Sequence, residues 1–133
     1  VADEALAVRL GTASRIVAGR VVATRPLAVA EADEGEHAAE WVKAEIALAS
    51  TEKGESGTTA TVYFAGAGEE VWRHAPKLQP GDAGLFLLQP YSGADLPPGS
   101  LVVSSPLDVQ HPSQTGRVRR LLNLPRPAAA PRR

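Results

Sequence analysis

The clearest signal in the sequence is an alternation of apolar and polar side chains over residues 41–48. One side of this segment carries Val42, Ala44, Ile46 and Leu48, and the other carries Trp41, Lys43 and Glu45. A period of two is typical of a β-strand with one face buried and the other exposed. The alternation therefore predicts a half-buried strand with Trp41 on its outer, exposed face.

Further segments have the composition of strands, namely residues 16–22, 59–64, 84–88 and 101–103, with a shorter candidate at 71–74. β-Branched, aromatic and leucine side chains dominate them. Gly19 predicts a bulge or sharp bend in the first of these strands. The continuous apolar run at 84–88 is typical of a strand buried on both faces. The turn at 51–57 predicts an antiparallel hairpin, with Val62 and Phe64 facing inward.

Two helices are expected, one near each end of the chain. Residues 3–11 favour a short helix that stops at Gly11. Residues 114–123 form the second, with Ser113 as its cap and an apolar stripe of Val118, Leu121 and Leu122. Residues 125–133 are rich in Pro, Ala and Arg and contain no core residues, so the expected domain spans residues 1–124 and a tail follows.

These elements predict a mainly β fold, a five-stranded, OB-like antiparallel barrel with short N-terminal and C-terminal helices. Closing the sheet into a barrel removes the exposed strand edges that a short chain would otherwise have to protect. A β-sandwich of similar size is the alternative architecture.

Composition narrows the possible functions. The chain has 133 residues, 44% of them hydrophobic, and a net charge of −1, which suits one soluble domain without a general polyanion or polycation partner. It has no Cys, which excludes disulfides and thiolate chemistry, and no apolar run long enough to span a bilayer. It begins at Val1 without Met, which predicts removal of a signal peptide and a periplasmic or extracellular location.

The order of segments resembles a family of uncharacterised bacterial exported proteins with an OB-like barrel. The resemblance is carried by residues 16–22, 61–64, 75–88 and 106–110, and the range from the first of these segments to the last spans most of the chain. It implies a fold and an exported location, but no catalytic residues. A looser similarity links such barrels to netrin-like and metalloprotease-inhibitor modules, which usually rely on the disulfides that this chain lacks.

The sequence offers little that points to catalysis. His37, His74 and His111 are not spaced as metal ligands, and no metal or other cofactor is expected. Ser105, Asp108 and His111 are near one another in sequence and are the set from which a small hydrolase would have to be built. That remote alternative requires the His111 ring within hydrogen-bond reach of a serine hydroxyl in a cleft.

Aromatic residues raise a second alternative, a ligand-binding barrel for an oligosaccharide or a single-stranded nucleic acid. It requires at least two of Trp41, Tyr63, Trp72 and Tyr91 to line one groove. Acidic residues crowd the same region, including Glu31, Asp33, Glu34, Glu36, Glu40 and Glu45, and they would repel phosphate. A nucleic-acid partner is therefore not expected.

Charge is distributed unevenly along the chain, and this suggests a protein partner. No acidic residue follows Asp108, whereas six arginines do: Arg117, Arg119, Arg120, Arg126, Arg132 and Arg133. Such a dipolar surface orients docking. The preferred hypothesis is a non-catalytic accessory subunit of a membrane-associated complex, for instance a respiratory or photosynthetic one. Trp41, Trp72 and these arginines would be its contact residues, because Trp and Arg dominate interface energetics.

Overall fold

A computed structural model describes residues 2–26, 39–68, 76–93 and 96–123. Its helices and strands are α1 (Ala2–Thr12), β1 (Arg15–Pro26), β2 (Ala39–Lys53), β3 (Thr59–Gly68), β4 (Ala83–Pro90), β5 (Leu101–Val102), β6 (Val109–Gln110) and α2 (Thr115–Leu122). Short 3-10 helices occupy Pro106–Asp108 and Pro112–Gln114. The predicted strand at 71–74 and the predicted tail at 125–133 lie outside the described residues.

The strands close into a barrel in the order β1-β2-β3-β5-β4, and β4 pairs back onto β1. The mainly β, five-stranded barrel with a helix near each end is thereby confirmed. The barrel is mixed rather than wholly antiparallel because β3 and β5 run parallel, in register at Tyr63 and Val102. β6 lies beside β4 on the same edge as β5, paired at Phe86 and Val109.

The barrel interior is filled by alternate residues of the strands, as the period of two predicts. Ala44, Ile46, Val62 and Phe64 of the β2–β3 hairpin all point inward and are at most 4% exposed. With few aromatic side chains available, the interior consists mainly of aliphatic residues. The remaining buried members are Val17, Val21, Ala60, Leu78, Phe86, Leu88 and Val103. Burying this apolar surface is the main source of stability of the barrel.

The predicted bulge in β1 is present at Gly19. The register between β1 and β2 shifts between Ala18 and Gly19. At this position the two strands approach so closely that a side-chain Cβ on Gly19 would overlap the carbonyl oxygen of Ala47. Glycine is therefore required by space, and the local bend helps the long strand β1 curve around the barrel.

β4 is buried on both faces, as predicted, because the two helices cover its outer side. Phe86 and Leu88 face the barrel interior, while Leu85 and Leu87 face α1 and α2. The predicted stripe of α2 packs here, with Val118 fully buried and Leu121 and Leu122 half-buried. None of the helices in the described part of the chain has the length and apolar character to cross a membrane.

The predicted cap of the second helix is corrected by the structure. Ser113 is not the capping residue, because a 3-10 turn at Pro112–Gln114 precedes α2. His111 begins this turn, and its ring Nδ1 accepts a hydrogen bond from the backbone N–H of Ser113 at 3.0 Å. The helix itself therefore starts at Thr115, one residue later than expected.

Candidate binding groove

An open groove of about 420 Å³ lies between the first half of β3 and residues 97–101 of the β4–β5 connection. One wall is the outward-facing row of Thr59, Thr61 and Tyr63, which alternates with the inward-facing residues of the barrel interior. Arg15, the first residue of β1, also lines the groove. Among the described lining residues, Arg15 is the one with a charge.

The other wall is a turn that the sequence Pro97-Pro98-Gly99-Ser100 dictates. The N–H of Ser100 donates to the carbonyl of Pro97 at 3.2 Å, and Gly99 has a φ of 83°. Proline followed by a residue of positive φ is the requirement of a type II turn, and glycine meets it without strain. The Ser100 hydroxyl donates to the same carbonyl at 2.6 Å, so the wall is held by its own hydrogen bonds.

The backbone of β3 also faces this groove. Tyr63 accepts a hydrogen bond from the N–H of Val103 at 3.2 Å, so its peptide groups point toward β5. Because peptide groups alternate along a strand, those of Thr61 and Thr59 point the same way. The ladder between β3 and β5 pairs only Tyr63 with Val102. The first part of β3 thus turns its edge toward the groove, opposite two prolines that have no N–H to offer.

Arg15 is held in place at the end of the groove by the β2–β3 hairpin. Its Nε donates to the carbonyl oxygen of Glu55 at 3.0 Å. The acceptor is a neutral peptide group, so this bond orients the guanidinium without cancelling its charge. Thr61 has a different partner, since its hydroxyl donates to Glu45 Oε2 at 3.1 Å.

Trp41 does not line the groove, and its predicted exposure is wrong. It does point away from the barrel interior, as the alternation requires, but it is only 5% exposed because it lies in a second apolar cluster with Ala65, Val102 and Leu96 of the β4–β5 connection. Its ring meets that of Tyr91 edge-on, with centroids 5.1 Å apart. Tyr63 packs against the same cluster at its margin, so Tyr63 is the one described aromatic residue that lines the groove.

The aromatic alternative is therefore only partly supported by the placement of the rings. Trp41, Tyr63 and Tyr91 do gather on one face of the barrel. A stacking platform needs open ring faces, and the ring of Trp41 is buried in the cluster that includes Leu96. Trp72 lies outside the described residues.

The arginines of α2 have different surroundings. Arg119 is engaged within the chain, since its Nε and Nη2 donate to the two carboxylate oxygens of Glu52 at 2.8 and 2.9 Å. The hydrogen bond from Arg119 lowers the pKa of Glu52. Arg117 is half-buried and donates to Gln114, whereas Arg120 is exposed. Arg126, Arg132 and Arg133 lie outside the described residues.

Ser105, Asp108 and His111 do not assemble as a hydrolase would need. Asp108 is fully buried and bonded to Arg9, with Nε to Oδ1 at 2.9 Å and Nη2 to Oδ2 at 2.6 Å. The hydroxyl of Ser105 accepts from the backbone N–H of Leu107. The exposed ring of His111 contacts the hydroxyl of Ser113 at 2.9 Å, on the surface rather than in a cleft. These contacts give the three residues structural roles, since Ser105 and His111 cap short 3-10 helices and Asp108 ends the first of them.

Histidine and carboxylate side chains do not form a recognisable metal site in the part of the chain that the structure describes. His111 is the one histidine in that part, and His37 and His74 lie outside it.

Apart from Tyr63, which was a candidate for an aromatic groove, the residues of the groove were not predicted as a site. The pattern that could have indicated it is the outward row at 59, 61 and 63 followed, much later in the chain, by a Pro-Pro-Gly-Ser turn. The parallel pairing of β3 with β5 brings these together, and such a contact is not readable from local sequence. No family model matches the chain, and no curated protein matches it either.

Proposed function

We propose that the chain is a non-catalytic binding module, an OB-type barrel whose groove holds an extended segment of a protein partner. The observation that carries the proposal is the edge of β3, whose peptide groups at Thr59 and Thr61 face the groove. Adding a strand to such an edge is a common way to bind a peptide, because main-chain hydrogen bonds supply affinity and neighbouring side chains supply selectivity.

The OB-type assignment is supported by the barrel and by the position of the groove. The barrel has five strands, closes β4 onto β1, and joins β3 to β5 by a crossover. Barrels of the OB type bind their ligands on the face of the second and third strands, beside the loop that joins the fourth and fifth. The groove lies beside β3 and is walled by residues of that loop.

An oligosaccharide is the second candidate ligand. The half-buried Tyr63 ring next to the hydroxyl groups of Thr59 and Thr61 favours it, since a sugar combines an apolar face with hydroxyl groups. The peptide is preferred because the other described rings of this face, Trp41 and Tyr91, pack with Leu96.

We also propose that the module works outside the cytoplasm, as an accessory subunit of a membrane-associated assembly. The resemblance to exported bacterial proteins supports the location. Arg120, exposed on α2, supports a charged contact with such an assembly. Fractionation of cells that express the native gene tests the location, because a cytoplasmic protein would not be recovered with the exported fraction.

The binding proposal is tested by selecting short random peptides displayed on phage against the immobilised chain. Enriched peptides are then synthesised, and their affinities are measured by fluorescence anisotropy. Thr61→Trp places a bulky uncharged ring in the groove, and we expect it to weaken binding by at least about tenfold, equivalent to about 1.4 kcal/mol. Val22→Trp is the matched control, since Val22 is 54% exposed on β1 and does not line the groove.

Labelling the chain with nitrogen-15 adds a direct readout of where the peptides bind. Shifts of the amide signals of Thr59, Tyr63 and Ser100 on addition of a peptide would place it in the groove. The proposal is wrong if no peptide is enriched, or if the enriched peptides bind Thr61→Trp as tightly as the unmodified chain.

A further inference from the structure

Arg15 differs from two other arginines of the chain in what its guanidinium contacts. Arg9 and Arg119 each donate two hydrogen bonds to a carboxylate, that of Asp108 and that of Glu52 respectively. Arg15 instead donates from Nε to the carbonyl of Glu55, and no carboxylate among the described residues forms an ion pair with it. Its charge is therefore not neutralised within the described part of the chain.

The position of Arg15 makes this charge relevant to binding. A guanidinium carries five N–H donors, and the bond to Glu55 uses one of them. That bond also fixes the direction of the planar group, so less side-chain entropy is lost when a ligand binds. The remaining donors form a fork that matches a carboxylate with two parallel hydrogen bonds.

We infer that the groove selects an acidic extended peptide and that Arg15 binds its carboxylate. This inference rests on the proposed function. The strand edge of β3 would hold the main chain of the peptide, and Arg15 at the end of the groove would hold an Asp, a Glu or a terminal carboxylate. The other described lining residues are uncharged, and the nearby carboxylate of Glu45, which accepts a hydrogen bond from Thr61, is negative, so the selectivity for an acidic group depends on Arg15.

The experiment compares two displayed peptide libraries that differ only in charge. One contains Asp and Glu at the randomised positions, and the other contains Asn and Gln in their place, with free and amidated carboxyl termini tested in the synthetic peptides. We expect enrichment from the acidic library alone. Equal enrichment from both would overturn the inference while supporting the binding proposal. Enrichment from neither would overturn the binding proposal itself, so the two failures are distinguishable.

Variants of Arg15 test the residue directly. Arg15→Gln should lower the affinity for the selected acidic peptide by about tenfold or more and remove the preference over its amide counterpart. Arg15→Lys keeps the charge but not the planar fork, so its affinity should lie between that of the unmodified chain and that of Arg15→Gln. Arg20→Gln is the matched control, since Arg20 also lies on β1 and is exposed. Its guanidinium likewise donates to a backbone carbonyl, that of Gly81 at 2.7 Å.

The outcome that contradicts the role of Arg15 is unchanged affinity and preference in Arg15→Gln. If circular dichroism shows that Arg15→Gln is unfolded, Arg15→Lys decides the question. A loss of affinity in Arg15→Lys that only equals the loss in the control Arg20→Gln would also contradict the role of Arg15. We expect an anionic oligosaccharide to compete only weakly with the peptide for binding. Tighter, Arg15-dependent binding of a uronic-acid oligosaccharide than of any selected peptide would overturn the peptide assignment.

Discussion

Replacing Asp108 by Asn should destabilise the chain more than its small change in shape suggests. Asp108 is fully buried, and five N–H groups converge on its two oxygens. They come from two nitrogens of Arg9, the side chain of Gln89, and the backbone of Ser104 and Ser105. An Asn amide has one NH₂ group, and either orientation turns it toward donors. The variant thus loses hydrogen bonds and leaves Arg9 without its counter-charge.

The expected magnitude follows from these contacts. Removing one partner of a buried ion pair typically costs about 3–5 kcal/mol. The Arg9 side chain is 27% exposed and can regain some hydration, which lowers the expected loss to about 3 kcal/mol. With an unfolding entropy near 2.1 cal/mol/K per residue, a chain of 133 residues would melt about 10 °C lower.

The assay is equilibrium unfolding in urea, followed by circular dichroism, for the unmodified chain, Asp108→Asn, Arg9→Gln and the double variant. The single losses should not add, because both variants break the same contact, and a coupling of at least about 1 kcal/mol is expected. Asp82→Asn is the matched control, since Asp82 is exposed and accepts a bond from Gln79. A loss in Asp108→Asn no larger than that of the control would refute the reasoning, as would simple additivity.

Three further predictions concern other parts of the fold. Gly19→Ala should lower the free energy of unfolding in urea by about 2 kcal/mol or more, because its Cβ would overlap Ala47 O, whereas Gly116→Ala, with open space around it, should not lower it. The folded chain lowers the pKa of Glu52. The stabilising effect of this carboxylate is therefore fully present above the pKa that Glu52 has in the unfolded chain, and it is lost as the pH falls through its pKa in the folded chain. The melting temperature of Glu52→Gln should therefore lie below that of the unmodified chain near neutral pH and converge with it in acid, and a gap that persists in acid would contradict the assignment. Leu96→Ala should uncover Trp41 and shift its fluorescence to longer wavelength in a Trp72→Phe background, and an unchanged spectrum would show that Leu96 does not cover the ring.

Local pattern was sufficient to predict the strands and which of their faces are buried. The alternation in β2 and the apolar run in β4 both predict burial, because each side chain of a strand points either toward an apolar core or away from it. Closure into a barrel was also predictable, because a chain with this many short strands has few other ways to remove its edges. The first helix followed from its helix-favouring residues and the second from its apolar stripe, although the 3-10 turn at Pro112–Gln114 displaced the expected cap of the second.

The contacts that the sequence did not predict join residues far apart in the chain. Asp108 was grouped with Ser105 and His111 because they are close in sequence, but its partner is Arg9, 99 residues away. Trp41 was expected to be exposed because its own strand places it on the outer face, but it is buried in a cluster that includes Leu96 from a later loop. The groove has the same origin, since its two walls belong to β3 and to residues 97–101.

The edge of β3 has two possible physical roles, and they lead to different expectations for Arg15. Proteins protect exposed strand edges with proline, and Pro97 and Pro98 stand opposite this one. If protection were the whole role, the wall would only need to exclude other chains, and a charged residue at its end would add nothing specific. An arginine fixed by a neutral carbonyl, in a groove whose other described lining residues are uncharged, instead provides a selective contact for an acidic segment. Protection and selection are compatible if the prolines reject most strands while Arg15 favours an acidic one. Arg15→Gln separates the two roles, because it removes selection and leaves the prolines in place.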